Sequence, residues 1–213
     1  MEGQEYFREN YCDYERQSSE RKLAFYMGLV RKWTPQGETV FELGVGMGHF
    51  LQKACEEYVC QGCDINEHGL AEAGSRAPAA TIFKGSFECV GTEGRPFAVI
   101  AWDVLEHITK LDDALALIRS KLRESGFLIG IVPVYDGPLG WLVRRLDHDP
   151  SHVWKLSRAE WIAKLTDRGF RVVECGGVIR RLVFSRWYLH VVWPQCVLRR
   201  VGSAFYFVAE RQA

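Results

Sequence analysis

What this chain lacks narrows it first. It has no surplus of either charge: 27 Lys and Arg stand against 27 Asp and Glu, so no global basic field draws it to nucleic acid. It has no run of about 18 uninterrupted apolar residues, which excludes a conventional transmembrane helix. Met1 to Glu5 do not lead from a basic stretch into an apolar run, so a secretory leader is not expected. The seven cysteines (12, 55, 60, 63, 89, 175 and 196) lack the even count and regular spacing of a disulfide framework, and reduced thiols in a cytoplasmic protein are the expectation. Cys60 and Cys63 have CxxC spacing with no second pair elsewhere. In a strand an offset of three turns them to opposite faces, which argues against a zinc or redox centre. There is no internal repeat, low-complexity tract or Pro/Ser-rich linker, so the 213 residues are expected to form a single domain.

What is present is the composition of a folded protein: 47% hydrophobic and 25% charged residues exclude bulk disorder and coiled-coil architectures. The neutral total hides an asymmetry. Residues 1–134 carry 14 basic and 20 acidic side chains, whereas 135–213 carry 13 and 7, so the last third is +6 against −6 for the rest. Residues 16–33 read as an amphipathic helix ending before the turn Thr34-Pro35-Gln36-Gly37. Strands then alternate with helices. Strands are expected at 39–43, 59–64, 81–84, 97–101 and 127–134, and helices at 49–58, 67–76 and through the stripe Leu111, Leu115, Ile118 and Leu122. Almost wholly apolar strands in this alternation indicate a parallel sheet covered on both faces. Ser157-Arg158-Ala159-Glu160 is a capping box opening a further helix that stops at Gly169. Phe170 to Cys175 and Ala204 to Ala209 read as the last two strands, and the 25 residues 178–202 between them exceed a hairpin turn.

The first strand ends in Glu42-Leu43-Gly44-Val45-Gly46-Met47-Gly48-His49. Glycines between strand and helix let a ligand approach the backbone closely. A dinucleotide fingerprint would place a glycine or alanine at 49, where His49 stands, and Glu42 would repel a pyrophosphate while favouring a cation. Asp64 ends the second strand twenty residues after Gly44, the position from which a carboxylate holds ribose hydroxyls. A ribose-bearing, cationic ligand without phosphate describes S-adenosylmethionine, with a tight structural turn and a solvent-facing Asp64 as the alternative.

Val40 to Gly48, Gly62-Cys63-Asp64-Ile65, Gly85-Ser86-Phe87-Glu88 and Phe97 to His107, in that order, resemble a class I S-adenosylmethionine-dependent methyltransferase. The broad group includes the ubiquinone-biosynthesis O-methyltransferases and many small-molecule methyltransferases. Leu122 to Pro133 resembles the family's turn into strand five, with Glu124-Ser125-Gly126 replacing the common Pro-Gly-Gly. The resemblance implies a Rossmann-like α/β fold: a doubly wound, mostly parallel seven-stranded sheet with an antiparallel last strand. Residues 1–37 would form a helical cover, 38–134 the cofactor half, and 135–157 with 178–202 an acceptor-side lid and insert. It implies that the backbone of Gly44, Val45, Gly46 and Gly48 lines the methionine part, with Glu42 near its amino group. Asp64 would hold the ribose, Ile65 pack on adenine, Ser86 and Phe87 border the adenine edge, and Asp103 close over the methionine moiety; S-adenosylhomocysteine would be the product.

Methyl transfer from a sulfonium is an in-line displacement, and a hydroxyl acceptor needs a base or a metal because its proton must leave. His107 and His152 are the residues of choice for that role, with a merely packing His107 as the alternative. Asp103, Glu106 and His107 form a D-x-x-E-H cluster resembling the magnesium-binding E-x-x-E-H of ubiquinone and small-RNA 2′-O-methyltransferases. The shorter Asp argues against a bound ion, and His152 would be the extra ligand. The segment 135–157, with Tyr135, Trp141, His148, His152 and Trp154, is the expected acceptor pocket, a plain surface loop being the alternative. Residues 178–202 hold five Arg and no acid. They would pack on the sheet or a second copy of the chain, cover a hydrophobic or anionic acceptor, or lie peripherally on an anionic membrane. Tyr6, Phe7, Tyr11 and Tyr14 would cover the cofactor. The expected activity is methylation, most simply O-methylation, of a small molecule and not of nucleic acid. A non-catalytic S-adenosylmethionine-binding protein and a methyltransferase acting on a macromolecule are the rivals.

Overall fold

The structure, a computed structural model, describes residues 19–138, 140–147, 149–183, 187–194 and 201–212. The tyrosines at 6, 11 and 14, Phe7, His148 and all of 195–200 therefore lie outside the described residues. Strands are β1 (Thr39–Leu43), β2 (Val59–Asp64), β3 (Thr81–Lys84), β4 (Ala98–Trp102), β5 (Phe127–Pro133), β6 (Phe170–Val183), β7 (Trp187–Pro194) and β8 (Ala204–Arg211). Helices are α1 (Glu20–Trp33), α2 (His49–Ala54), α3 (Glu67–Arg76), α4 (Leu111–Lys121), α5 (Gly140–Leu146) and α6 (Arg158–Asp167).

All eight strands join one sheet in the order β3-β2-β1-β4-β5-β8-β6-β7. The run β3-β2-β1-β4-β5 is parallel, and β8 pairs antiparallel with both β5 and β6. β4 is buried along its whole length and β5 along all but its first residue, as strands covered on both faces must be. Alternate residues serve the two layers. Val40, Ile100 and Ile129 join Tyr26, Val30 and Leu51 on the face of α1 to α3. Phe41, Val99 and Leu128 join Leu115, Ile118 and Trp161 on the face of α4 and α6. Cys60 and Cys63 fall on these opposite faces, as the strand offset requires.

The sheet has eight strands where seven are expected, and the reason is the insert. β6 runs on to Val183 and pairs antiparallel with β7 from Gly176↔Pro194 to Val183↔Trp187. Val, Ile, Leu and aromatic residues suit a pleated surface, so part of the insert that exceeds a hairpin turn adds to the sheet as strand. His190 of β7 is buried against Phe25 and Tyr26 of α1. α2 also ends earlier than expected. Residues after Ala54 leave the helix, and Glu57 turns to pair with Arg31 while its carbonyl accepts from Gly37 N.

Candidate functional site

Between β1 and β4 the strand order reverses, the point at which open α/β sheets bind ligands beyond their carboxyl ends. The glycine loop lies there with φ of 75°, 50° and 78° at Gly44, Gly46 and Gly48, which only glycine adopts without strain. A Cβ on Gly44 would meet Val104 Cγ2 at 2.4 Å, and one on Gly48 would meet Ala73 Cα at 2.7 Å. Loop, post-β4 segment and α3 thus pack backbone to side chain. Gly62 works the same way: its Cβ would lie 2.4 Å from Val45 Cγ1. The Val45 side chain is buried, which leaves its backbone to face a ligand.

Asp64 holds this loop. Its Oδ2 accepts from Gly46 N at 2.8 Å and its Oδ1 from Asn66 N at 2.9 Å. Carboxylate oxygens have further lone pairs, so both can still accept from a diol. Ile65 beside it is 75% exposed, an apolar side chain left in water at the loop rim. Ser86 and Phe87 are half-buried, and the Ser86 carbonyl accepts from Cys63 Sγ and Cys89 N. Asp103 is half-buried with φ 57°, a conformation costly for a side-chain-bearing residue, and its N–H bonds Ile131 O at 2.9 Å.

Glu42 is the most informative of the group. It is buried, and among the described residues its Oε2 has no hydrogen-bond partner. Burial, with Asp64 nearby, pushes its carboxyl well above the usual range. A carboxylate so placed asks for a cation, and the ammonium of an amino-acid ligand would supply one. The glycine cradle, Asp64 and Glu42 therefore fit S-adenosylmethionine.

The second cluster is built from residues far apart in the chain. The Glu106 carbonyl accepts from Val153 N and Trp154 N, and Trp154 Nε1 donates to Ile108 O at 2.8 Å, which docks the loop 151–154 onto the post-β4 turn. His107 then meets Ser151: its Nδ1 is 2.9 Å from Ser151 Oγ and 3.2 Å from Ser151 O. Its ring centroid lies 4.8 Å from that of His152. Burial first, then the neighbouring His152, lowers the His107 pKa and favours neutral imidazole. His152 Nδ1 is 2.9 Å from Asp147 Oδ1. Asp147 also accepts from Tyr135 OH and pairs with Lys155 Nζ at 3.0 Å. Burial works against ionising Asp147, but the bonds from Tyr135, His152 and Lys155 prevail and hold it well below the usual carboxylate range. With Asp147 ionised, His152 Nδ1 donates to its Oδ1.

Glu106, His107 and His152 each offer a donor atom within 4.8 Å of the others, so these three could hold a metal ion. Asp103, the first member of the D-x-x-E-H cluster, whose shorter side chain argues against a bound ion, lies outside that group. Trp141, expected to line the pocket, is 67% exposed on α5. Asp147, Asp149 and Ser151 were not singled out beforehand. The run Asp147-His148-Asp149-Pro150-Ser151-His152, with carboxylates close to a histidine, was their only sequence signal.

A family model described as a methyltransferase domain matches residues 14–175, which is 162 of the 213 residues. A Thermotoga maritima protein described as an S-adenosylmethionine-dependent methyltransferase superposes with TM-score 0.74 at 17% identity, covering 98% of this chain and 99% of its own. A Haloferax volcanii chain in complex with the methyltransferase activator Trm112 gives 0.73 at 15%, covering 99% and 96%. Magnesium protoporphyrin IX methyltransferase from Synechocystis, with bound S-adenosylhomocysteine, gives 0.68 at 16%, covering 98% and 97%. At these identities the likeness to solved structures is one of fold. No curated protein sequence matches the chain.

Proposed function

The chain belongs to the methyltransferase domain family of S-adenosylmethionine-dependent enzymes, and from that membership we propose that it methylates a hydroxyl of a small-molecule acceptor. The observation that carries the acceptor chemistry is the Asp147–His152 pair facing His107, beyond the carboxyl ends of β4 and β5. A carboxylate-oriented imidazole is what a hydroxyl acceptor needs and what a thiolate or neutral amine can do without.

When bound, the cofactor supplies a methyl group on a positively charged sulfur. Glu42 pairs with its ammonium, and the backbone of Gly44, Val45, Gly46 and Gly48 lines the methionine part. Asp64 accepts from the ribose hydroxyls, Ile65 packs on adenine, and Ser86 and Phe87 border the ring edge. Asp103 closes the methionine side. His152 would take the proton that the acceptor's hydroxyl loses, and Asp147 would stabilise the imidazolium that results. His107, neutral and fixed by Ser151, positions the acceptor and excludes water.

A second reading gives Glu106, His107 and His152 to a divalent cation that acidifies the acceptor hydroxyl, supported by their 4.8 Å grouping. Chelation separates the two: loss of turnover in EDTA, restored by magnesium with cofactor affinity constant, favours the metal. The test of the proposal itself is transfer of label from methyl-labelled cofactor into a metabolite extract. The expected product is a small O-methyl ether; label only in an ester, on nitrogen, on sulfur or on a macromolecule overturns it.

A further inference from the structure

The acceptor-side segment has an inner and an outer face of different character. Its acids turn inward: the Asp147 side chain is only 9% exposed and bonded to Tyr135, His152 and Lys155, while Asp149 accepts from Ser151 and lies 3.8 Å from His152 Nε2. Its apolar and cationic residues turn outward. Trp141, Leu146 and Val153 are 67%, 47% and 50% exposed, three of the six large hydrophobic residues that are exposed among the described residues. Arg144 and Arg145, between Trp141 and Leu146 on α5, are exposed as well. The two stretches form one lip. Arg144 Nη2 reaches Lys155 O at 3.5 Å, and the Arg144 guanidinium and Lys155 ammonium both lie over the Tyr135 ring. Val153 directly follows His152, so this lip is the rim of the catalytic cluster.

We propose that this lip, Trp141, Arg144, Arg145, Leu146 and Val153, docks the enzyme on an anionic lipid surface with the acceptor opening facing the bilayer. The indole and Leu146 on a short helix, with Val153 on the adjoining loop, flanked by arginines and with the acids withdrawn, match a headgroup layer: the apolar side chains enter the interface and the guanidiniums pair with phosphate. Docking here does not depend on which acceptor atom is methylated, so it can fail or stand apart from the O-methylation reading.

The test is co-sedimentation of the full chain with vesicles of phosphatidylcholine alone and of phosphatidylcholine and phosphatidylglycerol in equal parts. Binding to the anionic vesicles is expected to be at least about tenfold stronger and to weaken with salt. Arg144→Gln and Arg145→Gln are each expected to cost about fivefold, and Trp141→Ser with Leu146→Ser about tenfold, while cofactor affinity and melting temperature hold. Val59→Ser, which removes an exposed side chain at the start of β2 on the opposite, amino edge of the sheet, serves as control and is expected to change nothing. Equal or absent binding to the two vesicle types, or wild-type binding by the Trp141/Leu146 variant, overturns the proposal. So does loss of a concentration-dependent dimer in that variant, which would assign the lip to a second copy of the chain.

Discussion

Around β1 to β3 the candidate site is built from backbone and a few side chains of adjacent strands; beyond β4 it is built from side chains brought together from a distance. Asp64 reaches Gly46 across eighteen positions through a backbone donor, and the loop is shaped by glycines whose φ values allow little else. His107 meets Ser151 across forty-four positions, through side chains that three hydrogen bonds from 153 and 154 hold in place. The first arrangement is a rigid cradle that suits a ligand always of the same shape. The second can be rebuilt by changing one loop, which is how related folds come to serve different acceptors. Mutations should therefore divide cleanly, cofactor affinity responding to one region and turnover to the other.

The sharpest division is expected at His152. His152→Ala should lower kcat by about 10²–10⁴-fold, the usual contribution of a positioned base, with cofactor affinity unchanged. Single-turnover rates and calorimetric titration on the same preparation check it. Full activity in this variant would break the assignment and leave His107 to carry the proton.

Next in size is Glu42, where the cradle's charge lies. Glu42→Gln is expected to weaken cofactor binding by about 2 kcal/mol through the lost charge-assisted pair. Its pH dependence has a definite sign. The Glu42 pKa is raised in the free protein, so its contribution to stability is fully present below the ordinary carboxylate value and is lost as pH rises toward the raised one. Cofactor affinity moves the other way, rising over the same window as the carboxyl ionises to receive the ammonium. The Gln variant should flatten both curves and melt higher than wild type near neutrality without ligand. Parallel pH profiles in wild type and variant would remove Glu42 from the site.

How far these two regions could be read in advance follows from the same contrast. β1, β2, β3 and α3 have the bounds their patterns predict, because apolar runs, turn residues and the Asn66 cap are local signals. The glycine loop between β1 and its helix, and Asp64 at the end of β2, were placed in the chain for that reason. α5 was not, since Gly-Trp-Leu-Val-Arg-Arg-Leu behind Gly137 and Pro138 has no repeat long enough to show a period. Nor was β7, whose pairing with β6 is a tertiary choice. Asp147 was hidden differently: nothing in its spacing says that it, and not Asp149, takes His152 Nδ1.

Asp64→Ala is expected to have an effect of similar size, about 1–3 kcal/mol of cofactor affinity from lost hydrogen bonds to ribose. Because Asp64 also accepts from Gly46 and Asn66, the variant should lose thermal stability as well. Asp64→Asn, which keeps an acceptor oxygen for the loop, should recover part of the stability but little of the affinity. Calorimetry showing unchanged affinity in both variants would take Asp64 out of the site.

The smallest effect belongs at the hinge between the two regions, the N-terminus of α6. Ser157 Oγ accepts from Glu160 N, and Glu160 Oε2 accepts in turn from Ser157 N at 2.7 Å, a reciprocal cap on backbone donors that have no helical partner. The same corner is tied to the acceptor segment, since Arg158 is buried, pairs with Asp136 and reaches Gly202 O, while Tyr135 N bonds Leu156 O. Removing the cap hydroxyl in Ser157→Ala should cost about 1 kcal/mol of stability in a denaturant titration. Because the corner anchors 135–157 and touches nothing in the glycine cradle, the residual effect on function should appear as a raised acceptor KM, with cofactor affinity within error. A variant that instead weakens cofactor binding, while folding normally, would show that the two regions are mechanically coupled through α6 and that the division drawn here is too sharp.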